Sequence, residues 1–319
     1  MERMKLGSSD LDVSRLCLGT MQFGWTADED ASFAVLDTFG EAGGNFLDTA
    51  DVYSQWAPGH RGGESESVIG RWLASRGRRD DMVVATKVRG RMWDGPDGEG
   101  LSRAHITRAA EDSLRRLRVE TIDLYQCHWF DENTPIEETL RAFEELIQSG
   151  KVRFVGASNY PPAYLREALD TAASHGLPGF VSLQPHYNLV HRDEFEDELQ
   201  PLCLEHGLGV LPYSPLAGGF LTGKYTPAGN VESVRSKKAQ GYFNPRGWAV
   251  VEALQAIGSA RQATPAAIAL AWQLQQPGVT APIIGANSPQ QLTDQLPATR
   301  ISLSADELAQ LDHASRTPA

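Results

Sequence analysis

With 319 residues, 41% hydrophobic and 22% charged, the chain can bury one large core without disulfide or metal staples. A formal charge of -12 excludes the cationic face that nucleic acid or an anionic membrane would need. Cys17, Cys127 and Cys203 form no C-x-x-C pair and read as small buried hydrophobes. The start, Met1 to Gly7, has no apolar signal core, and no run approaches the roughly 18 apolar residues of a membrane span. A reducing cytoplasm is the expected setting.

In chain order, Lys5 to Val13 predicts a small hairpin around a Gly/Ser/Asp turn, and Leu16 to Gly19 a first strand. Residues 29–43 have helical spacing, with Phe33, Leu36 and Phe39 on one side and Gly43-Gly44 as a stop. Phe46-Leu47 is a second strand running into Asp48, followed by a helix from Ser65 to Ser75. A strand from Met82 to Thr86 ends at Lys87, a helix covers His105 to Leu117, and a strand from Ile122 to Cys127 ends at His128. Helices from Pro135 to Gln148 and from Pro161 to His175 both begin at proline. Between and after them come strands Val152 to Ala157 and Phe180 to Gln184, then a helix Glu196 to His206 and a strand Leu208 to Pro212.

Tyr213 to about Arg246 is rich in Gly, Pro, Ser and Lys and has no period; a loop that long is usually functional. Helices resume at Trp248 to Arg261 and Pro265 to Gln275. They are followed by a strand Val279 to Ile284, a short helix Pro289 to Leu296 and a closing helix Ala305 to Ala314. Strand-then-helix repeated eight times predicts an α/β fold: a single (β/α)8 TIM barrel over 1–319. It carries an N-terminal hairpin, a long loop after strand seven and extra C-terminal helices. The G-x-G-x-x-G of a doubly wound sheet is absent after the first strand.

Active sites of parallel barrels lie at the strand C-terminal ends. Asp48, Lys87 and His128 stand there on three consecutive strands, with Tyr53 in the loop after Asp48. Asp48 and Tyr53 alone admit a plainer reading, a turn residue and a half-buried aromatic. Together the four suggest proton donation to a carbonyl. A cation near a tyrosine stabilises phenolate and lowers its pKa. On this view Lys87 acts on Tyr53, Asp48 holds Lys87, and His128 orients the carbonyl oxygen. None of these groups supplies a hydride, so a nicotinamide cofactor is expected. A metal-dependent hydrolase with Asp48, His128 and His186 as ligands is an alternative that leaves Lys87 and Tyr53 without roles.

The chain resembles the aldo-keto reductases over nearly its whole length. The matching motifs are Phe46-Leu47-Asp48-Thr49-Ala50 with Tyr53, Ala85-Thr86-Lys87, and Leu124-Tyr125-Gln126-Cys127-His128. Gly156-Ala157-Ser158-Asn159, Gln184-Pro185-His186-Tyr187-Asn188, Tyr213-Ser214-Pro215-Leu216 with Gly223-Lys224-Tyr225, and Pro282-Ile283-Ile284-Gly285-Ala286 continue the match.

The resemblance implies a catalytic tetrad of Asp48, Tyr53, Lys87 and His128, with Tyr53 as general acid in reduction and base in oxidation. It implies that Ser158, Asn159 and Gln184 bind the nicotinamide carboxamide and that Tyr213 stacks on its ring. It places Thr20 and Met21 by the cofactor, and Ser214, Pro215, Leu216 and Lys224 around the pyrophosphate. Gly285, Asn287, Gln291 and Gln295 match the adenosine end, where helix-start N–H groups can meet a phosphate. Many members have an arginine or lysine where Asn287 or Gln291 stands, and a frequent asparagine is here Gln295. Arg235 aligns loosely with an arginine that contacts the 2′-phosphate in relatives resembling voltage-gated potassium-channel β-subunits.

NADP(H) is favoured, with NAD(H) possible. Trp25, Trp56, Trp93, Trp129 and Phe130 lie in loops at the strand ends and are expected to wall an apolar substrate pocket; His186 is expected to be structural. The expected partner is a small-molecule carbonyl substrate, with no nucleic acid and no membrane. The competing functions are an NAD(P)-dependent aldose or hydroxysteroid dehydrogenase working oxidatively, and a cofactor-binding regulatory β-subunit. The latter is disfavoured by the lack of an N-terminal inactivation segment.

Overall fold

The computed structural model describes residues 1–226 and 236–316, so Arg235 lies outside the described residues. An antiparallel hairpin, β1 (Arg3–Lys5) and β2 (Asp12–Ser14), opens the chain. Eight parallel strands follow: β3 (Cys17–Gly19), β4 (Phe46–Asp48), β5 (Val83–Val88), β6 (Ile122–Cys127), β7 (Val152–Ser158), β8 (Ser182–Gln184), β9 (Gly209–Val210) and β10 (Ile283–Ile284). They pair in chain order from β3 to β9, with β10 on the other side of β3. The barrel closes between the last two strands. Val210 bridges Val279 in parallel, and Ile283 N–H donates to Pro212 O at 2.8 Å.

The outer layer is α1 (Glu29–Glu41), α2 (Glu64–Arg76), α3 (Arg103–Leu117), α4 (Ile136–Gln148), α5 (Pro162–His175), α6 (Gln200–Glu205), α7 (Ser236–Gln240), α8 (Pro245–Arg261), α9 (Pro265–Leu274), α10 (Pro289–Thr293) and α11 (Ala305–Ser315). The sequence explains the caps. Ser102 accepts from His105 N–H at the start of α3, and Ser304 with Glu307 forms a reciprocal capping box on α11. Gly77 and Gly176 end α2 and α5 in the left-handed conformation. α4 buries Leu140, Phe143 and Leu146 on one stripe, whereas α9 is buried on nearly every side. α8 and α11, the extra helices, pack against each other.

Several boundaries differ from the sequence reading. β5 runs on through Lys87 to Val88, so the lysine lies within a strand. β8 ends at Gln184 as expected but begins only at Ser182; β9 stops before Pro212 and β10 starts after Pro282, because proline has no N–H for a ladder. The helix expected from Glu196 is a π turn at Phe195–Leu199 that continues as α6, with Pro201 removing a backbone donor at the junction. The long loop holds a 3₁₀ segment, Ala217–Thr222, and α7.

Two cores result. Leu16, Leu18, Leu47, Val84 and Tyr125 face outward into the sheet–helix core. Cys17, Phe46, Val83, Ala85 and Leu124 face inward with Leu6, Leu11 and Val13 of the hairpin. The hairpin plugs the N-terminal end of the barrel. No helix among the described residues is long and apolar enough to cross a membrane.

Candidate active site

Side chains alternate across a strand. Once Phe46, Ala85 and Leu124 face the barrel axis, Asp48, Lys87 and Gln126 must face it two residues later. The register aligns them: Asp48 pairs with Ala85, Lys87 with Gln126, and Ser158 with Gln184.

Lys87, fully buried, donates to Asp48 Oδ2 at 2.6 Å, Thr49 O at 2.8 Å and Tyr53 Oη at 2.9 Å. All three donor directions of the ammonium are thus used. Asp48 Oδ1 accepts from Gln184 Nε2 at 2.9 Å and from Gln126 Nε2 at 3.2 Å. Gln126 was not singled out from the sequence, although its two-residue spacing from Leu124 places it here. Thr20 Oγ1 donates to the Asp48 carbonyl oxygen at 2.9 Å and sits 2.8 Å from Ser65 Oγ. Its side chain therefore fixes Asp48, leaving half-buried Met21 as its neighbour on the rim.

Burial opposes charge on Lys87, but the Asp48 carboxylate and the Tyr53 hydroxyl outweigh it and raise its pKa. Tyr53 departs from the sequence expectation. Burial pushes its pKa up, Lys87 pulls it down, the Asp48 charge pushes it up again, and the net direction is upward. Lys87 does favour phenolate, but Asp48 offsets part of its field, so the phenol is protonated at neutral pH. Burial, then the Lys87 charge, holds His128 well below the ordinary imidazole range, so it is neutral. Its ring lies edge-on to Tyr53 with centroids 5.9 Å apart. Its Nδ1 is buried without a hydrogen-bond partner.

Of the expected aromatic wall, Trp129 stacks on His128 at 3.8 Å, and Trp56 stands edge-on to both Tyr53 and Trp25. Trp56 and Trp129 are partly exposed, at 49% and 40%. Trp93 is instead held by His105 and by Arg108, which lies 4.1 Å from its ring centroid, and Phe130 stacks on Tyr164. Those two rings pack loops against helices.

Asn159, in the left-handed conformation at φ 54, ties the site together. Its Nδ2 donates to His128 O at 2.9 Å and to Ser158 Oγ at 3.1 Å, and its Oδ1 accepts from Tyr213 Oη at 2.8 Å. Ser158 Oγ donates to Gln184 O. Tyr213 is half-buried, with one face stacked on His186 at 5.1 Å; His186 in turn stacks on His191 at 3.9 Å. After Tyr213, the residues Ser214, Ala217, Gly218 and Gly219 have positive φ, which coils this segment tightly. Pro215 is buried and Leu216 half-buried, while Lys224 is exposed with its ammonium over the Tyr225 ring.

At the far end Asn287 N–H donates to Gln291 Oε1, and Asn287 Oδ1 accepts from Thr26. Gln295 donates to the carbonyl oxygens of Gly285 and Gln291, while its own Oε1 is buried without a partner. α10, which begins here, has only five residues, shorter than the sequence suggested.

These residues fit a dinucleotide. The half-exposed Tyr213 suits a flat ring, and both Gln184 and Gln295 keep an amide oxygen without a donor among the described residues. The metal-ligand alternative does not assemble. Asp48 is engaged by Lys87, Gln126 and Gln184, His186 is stacked between Tyr213 and His191, and the described residues hold no three-ligand cluster. A cleft of about 1300 Å³ at the opposite end of the barrel carries none of the tetrad; among its lining arginines, Arg79 and Arg153 are bound by Asp123 and Asp10.

The aldo/keto reductase family profile matches residues 15–316. An uncharacterized oxidoreductase, YrpG of Bacillus subtilis, is 40% identical across 98% of this chain and 95% of its own length. A probable voltage-gated potassium channel subunit beta of Oryza sativa is 35% identical across 93% of this chain and 91% of its own. Norsolorinic acid reductase B of Aspergillus parasiticus is 32% identical across 96% of this chain and 82% of its own. A barrel with Asp48, Lys87 and Tyr53 joined at its C-terminal end, matched over nearly its whole length in this way, belongs to the aldo/keto reductase family of oxidoreductases.

Proposed function

We propose that this protein reduces an aldehyde or ketone to an alcohol with NADPH, and that Tyr53 is the general acid. The observation that carries the reading is the Asp48–Lys87–Tyr53 chain, 2.6 and 2.9 Å in its two links. A bound nicotinamide supplies the hydride. Tyr53 Oη then gives its proton to the carbonyl oxygen as negative charge grows there, and the Lys87 ammonium meets the phenolate left behind. Asp48 keeps Lys87 charged and aimed. Neutral His128 has Nε2 left to donate to the same oxygen, because Nδ1 is sealed. Trp56 and Trp129 form apolar walls beside the carbonyl.

The preference for NADPH over NADH draws on the family, whose members use nicotinamide cofactors, generally NADP(H). It also draws on the loose alignment of Arg235. Asn287, Gln291 and Gln295 are neutral and supply no charge for a 2′-phosphate. Tyr213 would carry the nicotinamide ring, with Gln184 Oε1 free to accept from the carboxamide. Ser214, Pro215, Leu216 and Lys224 would line the pyrophosphate. The test is titration of the protein's fluorescence with NADPH and with NADH, followed by turnover on a carbonyl panel. Binding of NADPH ahead of NADH with turnover is expected. Dinucleotide binding with no carbonyl turnover would favour a channel-subunit role of the kind for which the potassium-channel relatives are named, and faster alcohol oxidation would favour a dehydrogenase.

A further inference from the structure

Arg89 follows β5 directly, two residues beyond Lys87. Its peptide is wedged between the loop of Tyr53 and the strand end of His128. His128 N–H donates to Val88 O at 2.9 Å, and Asp51 N–H donates to Lys87 O at 3.3 Å. A Cβ on the next residue, Gly90, would lie 2.0 Å from Val52 Cγ1. Gly100 N–H holds the Arg89 carbonyl oxygen at 2.9 Å.

In this setting Arg89 has φ 137. The other non-glycine residues with positive φ lie between 51 and 73, the left-handed well that several side chains tolerate. A φ of 137 is ground that glycine occupies and arginine does not, and such strain concentrates at functional positions. The side chain is unusual too. Arg89 is half-buried, its Nε is sealed from water with no hydrogen-bond partner, and no carboxylate among the described residues is within ion-pair distance. Asp131 feels its charge but is committed elsewhere, to the N–H groups of Leu101 and Asn133 and the Thr134 hydroxyl. A buried donor without an acceptor is unfavourable until something supplies one. Lys87 is already matched by Asp48 at 2.6 Å, whereas the guanidinium of Arg89 meets no carboxylate at ion-pair distance among the described residues.

We propose that Arg89 determines specificity by binding a carboxylate on the carbonyl substrate of the Tyr53 site. The inference rests on the carbonyl-reductase reading above. A planar guanidinium matches a carboxylate in bidentate fashion, and in a chain of net charge -12 an anionic substrate needs such a local anchor. Arg89 is the first residue beyond β5, two residues past Lys87 in the chain and in the loop at the same end of the barrel. The carboxylate therefore sits several bonds from the reacting carbonyl, as it does across a benzene ring.

The experiment compares 4-formylbenzoate with its methyl ester and with benzaldehyde, using NADPH. The unaltered protein is expected to favour the carboxylate by about tenfold or more in kcat/KM, carried by KM. Arg89→Gln should erase that preference and leave benzaldehyde turnover unchanged, while Arg89→Lys should keep part of it. Arg89→Gly suits φ 137 and should raise Tm, on the order of 2 °C, while losing the preference; this guards against a variant that merely fails to fold. Benzaldehyde reduction with no preference for the carboxylate, or a preference that survives Arg89→Gln, overturns the role of Arg89 alone. Absence of turnover on every carbonyl overturns the reductase reading and this inference with it.

Discussion

Two ends of one barrel interior differ by a single pleat. Toward the N-terminal end the inward side chains are Phe46, Ala85 and Leu124, sealed by Leu6, Leu11 and Val13 of the hairpin. One pleat further along the same strands they are Asp48, Lys87 and Gln126, linked to one another by hydrogen bonds. The lower layer stabilises by removing apolar surface from water and needs no partner geometry. The upper layer keeps an ion pair out of water, where the loss of either member strands the other. The rigid lower layer fixes the positions at which the upper one can hold charge, so stability and chemistry are separable by substitution.

Tyr53→Phe should show the separation most sharply. Turnover is expected to fall about a hundred- to ten-thousand-fold, with dinucleotide affinity and Tm nearly unchanged; a variant that keeps its kcat would remove Tyr53 as the acid. Lys87→Met and Leu6→Ala form a matched pair. The first leaves Asp48 buried and uncompensated and should lose about 3–5 kcal/mol in urea unfolding along with all turnover. The second opens a cavity and should lose about 2–5 kcal/mol while the folded protein keeps its kcat. Loss of kcat in folded Leu6→Ala would show that the two layers are coupled.

The smallest effect concerns pH. Burial, then the charges of His191 and Lys238, holds His186 at about 3, against 6.5 ordinarily. Below pH 6.5 the unfolded chain takes up a proton that the folded one refuses, so this residue's contribution is intact above 6.5 and stability falls as pH drops toward 3. His186→Phe keeps a ring behind Tyr213 without the proton. Its Tm should decline less steeply between those values, and an identical slope would count against the assignment.

Much of this was legible because the repeat is local. Strand, helix and cap signals recur in order, and a titratable residue stands at or beside the end of each of three successive strands. Other features depend on neighbours distant in sequence. Nothing near Gln126 announces that it bonds Asp48, which is 78 residues away along the chain. Trp93 and Trp129 look alike as loop aromatics. Only the placement of Arg108 and His128 turns one onto a helix and the other onto the site. The direction of the Tyr53 pKa is a balance among burial, Lys87 and Asp48, and proximity of a cation alone gives the wrong sign. The shortened β9 and β10 could have been anticipated from Pro212 and Pro282.

That shortening has a consequence for motion. β5, β6 and β7 span six, six and seven residues and pair with one another along most of their length, whereas β9 and β10 have two each. The barrel is closed by little more than the Val210–Val279 bridge and the Ile283 bond to Pro212. Opening should begin at this seam, and the amides of Val210, Thr280 and Ile283 should exchange with solvent sooner than those of Leu124 or Val155. The wall that holds Lys87 is the more extensively paired, and the wall from which the Tyr213 segment departs the less. A molecule lying across that segment would act as a clasp on the barrel.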